Sequence, residues 1–323
     1  MWVEVICGFA IFRLLKRFFS EENDVREEGT SYANALFSVA RQLEKIYGGK
    51  AFVGLLIPDV DSGSRRSIDI VLLTRREVAV ISVKNVSGSV HIDTDGSWVC
   101  SGGRKHKNQC FPDPVAETKQ LIPILESYLE QRGCPLPERY LSCKVICPNP
   151  TFRTIHADSF PSEVITSDQW VQLKPQGKSM LYGWIKGALH SGKKEMLGTM
   201  QLKLDYLLST APMWDRLQLK NNKYILGEFL EFKGKKDDIF ALRNIKRSKV
   251  CRLTIQNTSM SVLAPSKIQI LYALRDYRGE GPSAFEWKEV CVLSSTVVLF
   301  RPQGLSEVQK YKISAVTCMS LSV

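Results

Sequence analysis

The chain has 323 residues, of which 44% are hydrophobic and 24% charged; this suits two globular domains and excludes disorder, a collagen-like fibre or a multi-span membrane protein as the main architecture. Lys and Arg outnumber Asp and Glu by 44 to 33, a net charge of +11. An excess of that size points to a polyanionic partner, either nucleic acid or an anionic membrane surface, although basic proteins without such partners are common.

The chain opens on a short apolar run, 5–12 (VICGFAIF), bounded by Glu4 and Arg13 and followed by Lys16 and Arg17. As a helix this run spans only about 12 Å, against about 30 Å of hydrocarbon. A secretory leader carries its positive charge before the apolar run, so the chain is not expected to be secreted. Residues 1–20 are read as a hydrophobic and basic helix lying at a membrane. Trp2, Ile6, Phe9, Ile11 and Phe12 face the lipid, and the basic side chains stay on the cytoplasmic side. The alternative is an amphipathic helix packed on the protein itself. Residues 21–30, rich in Glu, read as a linker.

A first domain is expected over 31–213. Leu36, Val39, Ala40, Leu43 and Tyr47 recur at helical spacing, and Gly48-Gly49 ends that helix. Strands follow at 51–57, 68–73 and 78–83, the last two forming a buried hairpin, with further strands at 89–92 and 97–100. Asp113 caps and Pro114 opens a helix running to about Gln131. Strands at 141–147 and 163–166, a helix capped by Ser167, and a mainly helical stretch at 180–208 complete an α/β domain, a mixed sheet flanked by helices.

After Trp214 the pattern becomes strand-like at 224–232, 239–245, 250–255, 268–274, 290–299 and 311–319, with no helix indicated. An all-β second domain is expected over 214–323. It holds +8 of the net charge, against +3 for residues 1–214. Its densest basic cluster, Lys233, Lys235, Lys236, Lys246, Arg247 and Lys249, is the candidate anion-binding surface. The nine cysteines include no CxxC pair, and no His lies near Cys143 and Cys147, so reduced thiols in a cytosolic compartment are expected.

The chemistry concentrates in IDIVLL and VAVISVKN. Residues two apart on a strand share a face, so Ser82 and Lys84 point the same way, and Asp69 on the preceding strand can join them. An acid and a lysine on otherwise apolar strands are costly unless paired or in use. The basic loop 104–107 (RKHK), with His106, reads as solvated, phosphate contact near the pocket being the alternative.

The run IDIVLLTRREVAVISVKNVSGSV resembles the core of the nuclease-related (NERD) domain family, which is similar in turn to the PD-(D/E)XK nucleases. The matches are Asp69, Lys84, Asn85, Gly88 and Pro114, within about 31–166, and over its whole length the chain resembles plant members. The resemblance implies a restriction-endonuclease-like fold. In the family an Asp and a Glu hold Mg²⁺ and a Lys acts at the phosphate. Here Ser82 stands at the Glu position and Glu117 at the position of a helical Gln. Two outcomes follow. In one, the site is degenerate, Lys84 and Asp69 form an ion pair, no cofactor is needed, and the protein binds nucleic acid, a membrane surface or another protein. In the other, Glu117 supplies the missing carboxylate, and Asp69, Glu117 and Lys84 work with Mg²⁺ as a nuclease of DNA or RNA.

Overall fold

The computed structural model describes residues 31–102, 109–155, 159–173, 198–257, 267–275 and 287–322. The 1–20 helix with Trp2, Ile6, Phe9, Ile11 and Phe12, the 21–30 linker and the 104–107 loop lie outside these residues. So does most of the stretch read as helical at 180–208. The chain divides into two compact units, one covering Ala35–Met213 and the other containing Trp214–Val323.

The first unit opens with helix α1 (31–47), which buries Leu36, Val39, Ala40 and Leu43 and stops at Gly48, whose φ of +66° suits glycine. Strands β1 (Lys50–Pro58), β2 (Arg65–Leu73) and β3 (Val78–Val83) form an antiparallel meander. The apolar run of β2 is buried on both faces because β2 is an inner strand and helices cover the sheet. From β3 the chain builds a separate four-stranded sheet from β4 (Gly88–Ile92), β5 (Trp98–Ser101), β6 (Gln109–Phe111) and later β8 (Phe152–Thr154). It then enters helix α2 (Pro114–Glu130), capped by Asp113, whose carboxylate accepts the Val115 N–H at 2.8 Å.

The chain returns as β7 (Leu141–Ile146), parallel to β3, with β9 (Val164–Ile165) parallel to β7. A parallel neighbour requires a long crossover, and β4, β5, β6 and α2 provide it. Short helix α3 (Ser167–Gln172) begins one residue earlier than a Ser167 cap requires. Thr166 is its cap residue, and the Gln169 side chain accepts the Thr166 N–H. Leu125, Tyr128 and Leu129 of α2 and Leu204, Leu207 and Leu208 of α4 (Gly198–Ser209) pack with Val71, Leu73, Val78 and Val80 of the sheet.

The second unit is an eight-stranded, wholly antiparallel sheet with the order β14-β13-β12-β17-β10-β11-β15-β16. Its strands are β10 (Asp215–Leu219), β11 (Tyr224–Lys233), β12 (Val250–Asn257), β13 (Lys267–Leu274), β14 (Trp287–Leu293), β15 (Val297–Pro302), β16 (Gln309–Lys312) and β17 (Val316–Ser320). One face carries a continuous core that includes Leu217, Ile225, Phe232, Leu253, Ile270, Val298, Phe300 and Met319.

Three sequence expectations are corrected by this sheet. The segment 239–245 is not a strand; helix α5 (Lys236–Leu242) replaces its first part. Asp237 and Asp238 in the first turn favour the helix, and buried Asp238 fixes it by accepting from the Leu293 N–H and the Thr296 hydroxyl. The 290–299 run divides into β14 and β15 at a turn closed by Thr296 N–H on the Leu293 carbonyl. The 311–319 run likewise divides into β16 and β17, which lie far apart in the sheet order.

Candidate functional site

Asp69, Ser82 and Lys84 come together at one end of the five-stranded sheet. The β2–β3 register pairs Val71 with Val80 and Ile70 with Ile81, so the ladder, continued by one step, sets Asp69 against Ser82. Val71, Val80 and Val145 are packed with helices, and alternation puts Asp69, Ser82 and Lys84 on this helix-facing side. Asp69 Oδ2 accepts the Val83 N–H at 2.8 Å and the Ser82 hydroxyl at 3.4 Å. The backbone amide fixes the position of this side chain at the end of the sheet.

Glu117 lies in the first turn of α2, where a negative charge also suits the helix dipole. Its Oε2 accepts from Lys84 Nζ at 3.2 Å. The pair is partly open to water, with 25% of the Lys84 side chain and 48% of the Glu117 side chain accessible. At that exposure it contributes about 0.2–1 kcal/mol. One of the two sequence outcomes pairs Lys84 with Asp69; the structure gives Lys84 a partner in Glu117 from the neighbouring helix. The Lys84 backbone N–H donates to the Ile146 carbonyl at 2.9 Å, so strand pairing with β7 sets where the side chain starts. Cys147 is buried near Lys84, and burial pushes its thiol up to about 12, with Lys84 opposing the shift, so it is unreactive in the folded protein.

Mg²⁺ demands near-octahedral oxygen coordination, and the donors here can be weighed against that requirement. Asp69 already satisfies two protein donors through one oxygen, Ser82 brings a neutral hydroxyl, and Glu117 is engaged by Lys84. Among the described residues no group of three or more His, Cys, Asp and Glu side chains is placed to hold a metal ion. This donor arrangement does not fit Mg²⁺.

Residues 32–148 match the model of the nuclease-related domain family. The matched segment holds α1, β1 to β7 and α2, and therefore all four pocket residues. No curated protein and no solved structure matches the chain.

The basic residues of the second unit are placed differently from one another. Lys233, Lys235, Lys236, Lys246 and Lys249 are exposed, with Lys233 Nζ 3.6 Å from Glu231. Arg247 is committed elsewhere. Its Nε and Nη2 lie 2.7 and 2.6 Å from Asp215 Oδ2, and its Nη1 lies 3.1 Å from Glu228. Asp215 is fully buried and also accepts the Phe229 and Ser322 N–H groups. Burial pushes its carboxyl upward, and Arg247 opposes this. Sequence reasoning missed this clasp, and also Lys144, which lies on the opposite face of β7 and donates to the Ser162 carbonyl at 3.1 Å. Burial lowers the Lys144 pKa. A lysine inside the apolar CKVIC run was the available signal. No described helix is long and apolar enough to cross a membrane.

Proposed function

We propose that this is a nuclease-related protein with a degenerate metal site, acting by binding nucleic acid and not by cutting it. The observation that carries this reading is the Ser82 hydroxyl lying on Asp69 at the position where the family has its second metal carboxylate. The loss of one charge and one oxygen ligand removes much of what holds a hard dication. The excess of +8 over residues 215–323, with five exposed lysines of the basic cluster, supports a binding role through phosphate contacts. The test compares the full-length protein with its Ser82→Glu variant in Mg²⁺ or Mn²⁺, on single-stranded, duplex and flapped substrates. The wild type binds in low salt without cleaving, and Ser82→Glu gains measurable Mn²⁺ affinity. Metal-dependent cleavage by the wild type, lost in Lys84→Ala, overturns the proposal.

One observation favours a second reading. Glu117 brings a carboxylate to Lys84 from the helix where the family carries a Gln. That reading is a Mg²⁺-dependent nuclease resting on Asp69, Glu117 and Lys84, and it requires Glu117 to leave Lys84 for the metal, because the donors as placed do not form a Mg²⁺ set. It requires Glu117→Gln and Lys84→Ala each to abolish a wild-type cleavage activity.

A further inference from the structure

Helix α5 turns one side into the second unit and the other to solvent. Asp238 and Leu242 are buried, Ile239 packs against the core, and Ile245, one turn further on, is buried as well. Helical spacing then sets Lys236, Phe240 and Arg243, at i, i+4 and i+7, in one stripe on the opposite side, over about 10 Å. All three are exposed, Phe240 to 64%. The Arg243 guanidinium lies over the Phe240 ring, 4.0 Å from its centre. Lys246 follows Arg243 by three residues, in a turn closed by the Lys249 and Val250 N–H groups on the Lys246 carbonyl.

A lone exposed phenylalanine is ordinary on a protein surface; the setting of Phe240 distinguishes it. Residues 233–249 hold seven basic side chains against two acids, and one of those acids, Asp238, is buried on Leu293 and Thr296. Of the seven, Lys233 lies beside Glu231, and Arg247 is held by Asp215 and Glu228. Among the described residues, the side chains of Lys235, Lys236, Lys246 and Lys249 meet no acid and no hydrogen-bond partner, and Arg243 meets only the Phe240 ring. Five cations are therefore available around an open ring, with Asp237 the exposed acid of the segment. This combination matches a single nucleic-acid strand. Its phosphates satisfy the lysines, and its bases present flat faces that stack on a phenyl ring or a guanidinium plane. The Arg243 contact covers one face of the ring and holds the guanidinium in place, so a base adds to a stack already begun. A duplex keeps its bases stacked inside and offers Phe240 no such face. A lipid surface fits less well, because Phe240 would carry the Arg243 charge with it into hydrocarbon.

We infer that the Lys236–Phe240–Arg243 stripe, with Lys235, Lys246 and Lys249 beside it in the chain, binds single-stranded nucleic acid, Phe240 and Arg243 stacking a base and the lysines meeting phosphates. This rests on the binding role proposed above, to which it adds the strand form and the stacking residues, and it does not depend on the pocket at Asp69. The test uses the full-length chain and fluorescence anisotropy of labelled 20-nucleotide dT and U oligomers, with a duplex and phosphatidylserine vesicles as competing probes. Phe240→Ala weakens oligomer binding about fivefold or more and leaves the slope of log affinity against log salt unchanged, since stacking releases no counterion. Phe240→Leu, apolar but without a ring, behaves like Phe240→Ala, and Phe240→Trp binds at least as tightly as wild type. The paired variant Lys235→Ala/Lys236→Ala makes the salt slope shallower by about 0.7 for each phosphate no longer neutralised. Lys220→Ala/Lys223→Ala, just before the start of β11 and so about 30 Å along that strand from Lys233, stays near wild type. If the wild type binds oligomers but Phe240→Ala and Phe240→Leu bind as tightly, or if it prefers the duplex, this inference fails while the broader binding role stands. If the wild type binds no nucleic acid, with or without binding vesicles, both fail.

Discussion

Arg247→Ala tests the clasp that holds the second unit together. In the wild type the guanidinium meets Asp215 through two nitrogens and Glu228 through a third. The substitution leaves the Asp215 carboxylate with 0% exposure and only the Phe229 and Ser322 amides, at 2.7 and 2.8 Å, to hold its charge. Removing one partner of a buried ion pair costs about 3–5 kcal/mol. Arg247 itself is 35% accessible, so water recovers part of the loss and the lower end, about 3 kcal/mol, is expected. Asp215→Asn keeps the shape, leaves Arg247 with Glu228, and costs less, about 1–2 kcal/mol. The double variant is not additive, because the stranded charge that makes Arg247→Ala severe is absent from it. Urea titrations followed by tryptophan fluorescence give all three values. A loss below about 1 kcal/mol for Arg247→Ala, or strict additivity in the cycle, refutes this account. The same variant separates structure from binding. Because Arg247 is occupied internally, its replacement leaves oligomer affinity unchanged under conditions where the protein stays folded.

Three further outcomes are expected. Asp69→Ala costs about 1.5–3 kcal/mol in a urea titration by stranding the Val83 amide, whereas Glu117→Gln costs less than about 1 kcal/mol because its pair is open to water. Glu163 is held below its ordinary pKa, first by the hydrogen bond from Lys119. Its contribution to stability is therefore present above the unfolded-state value and is lost as pH falls below about 4, so Glu163→Gln flattens the acid limb of a pH–stability curve. Among the described cysteines, mapping by alkylation and mass spectrometry at mildly alkaline pH finds Cys110 and Cys291 modified first, being exposed, while Cys147, buried and raised to about 12, reacts only on unfolding.

Period-two alternation is enough to bring Asp69, Ser82 and Lys84 to one face, because all three lie on adjacent strands joined by a short turn. The Asp113–Pro114 helix start is equally local. Glu117 enters the sequence reading only through the family resemblance, as a substitute metal carboxylate; its direct pairing with Lys84, 33 residues away, depends on how α2 packs over β3. The clasp is hidden for a related reason. Asp215 and Ser322 lie 107 residues apart, and Arg247 reads in sequence as one more member of a basic cluster. Helix α5 escapes a sequence reading because Ile239, Phe240, Ala241 and Leu242 form an apolar run that suits a strand; the aspartates before it are the opposing signal.

The position of β17 bears on how the protein is made. Residues 316–320 do not sit at an edge; they are inserted between β10 and β12, in the middle of the sheet. Until those residues have left the ribosome, β10 and β12 each lack a neighbour and the eight strands cannot form one sheet. The first unit is free to fold during translation, at about 5–20 residues per second, while the second waits with two unpaired edges, β10 and β12. A frameshift or nonsense change shortly before residue 316 therefore removes the keystone of the sheet, and the expected result is an aggregating product with an intact nuclease-related segment.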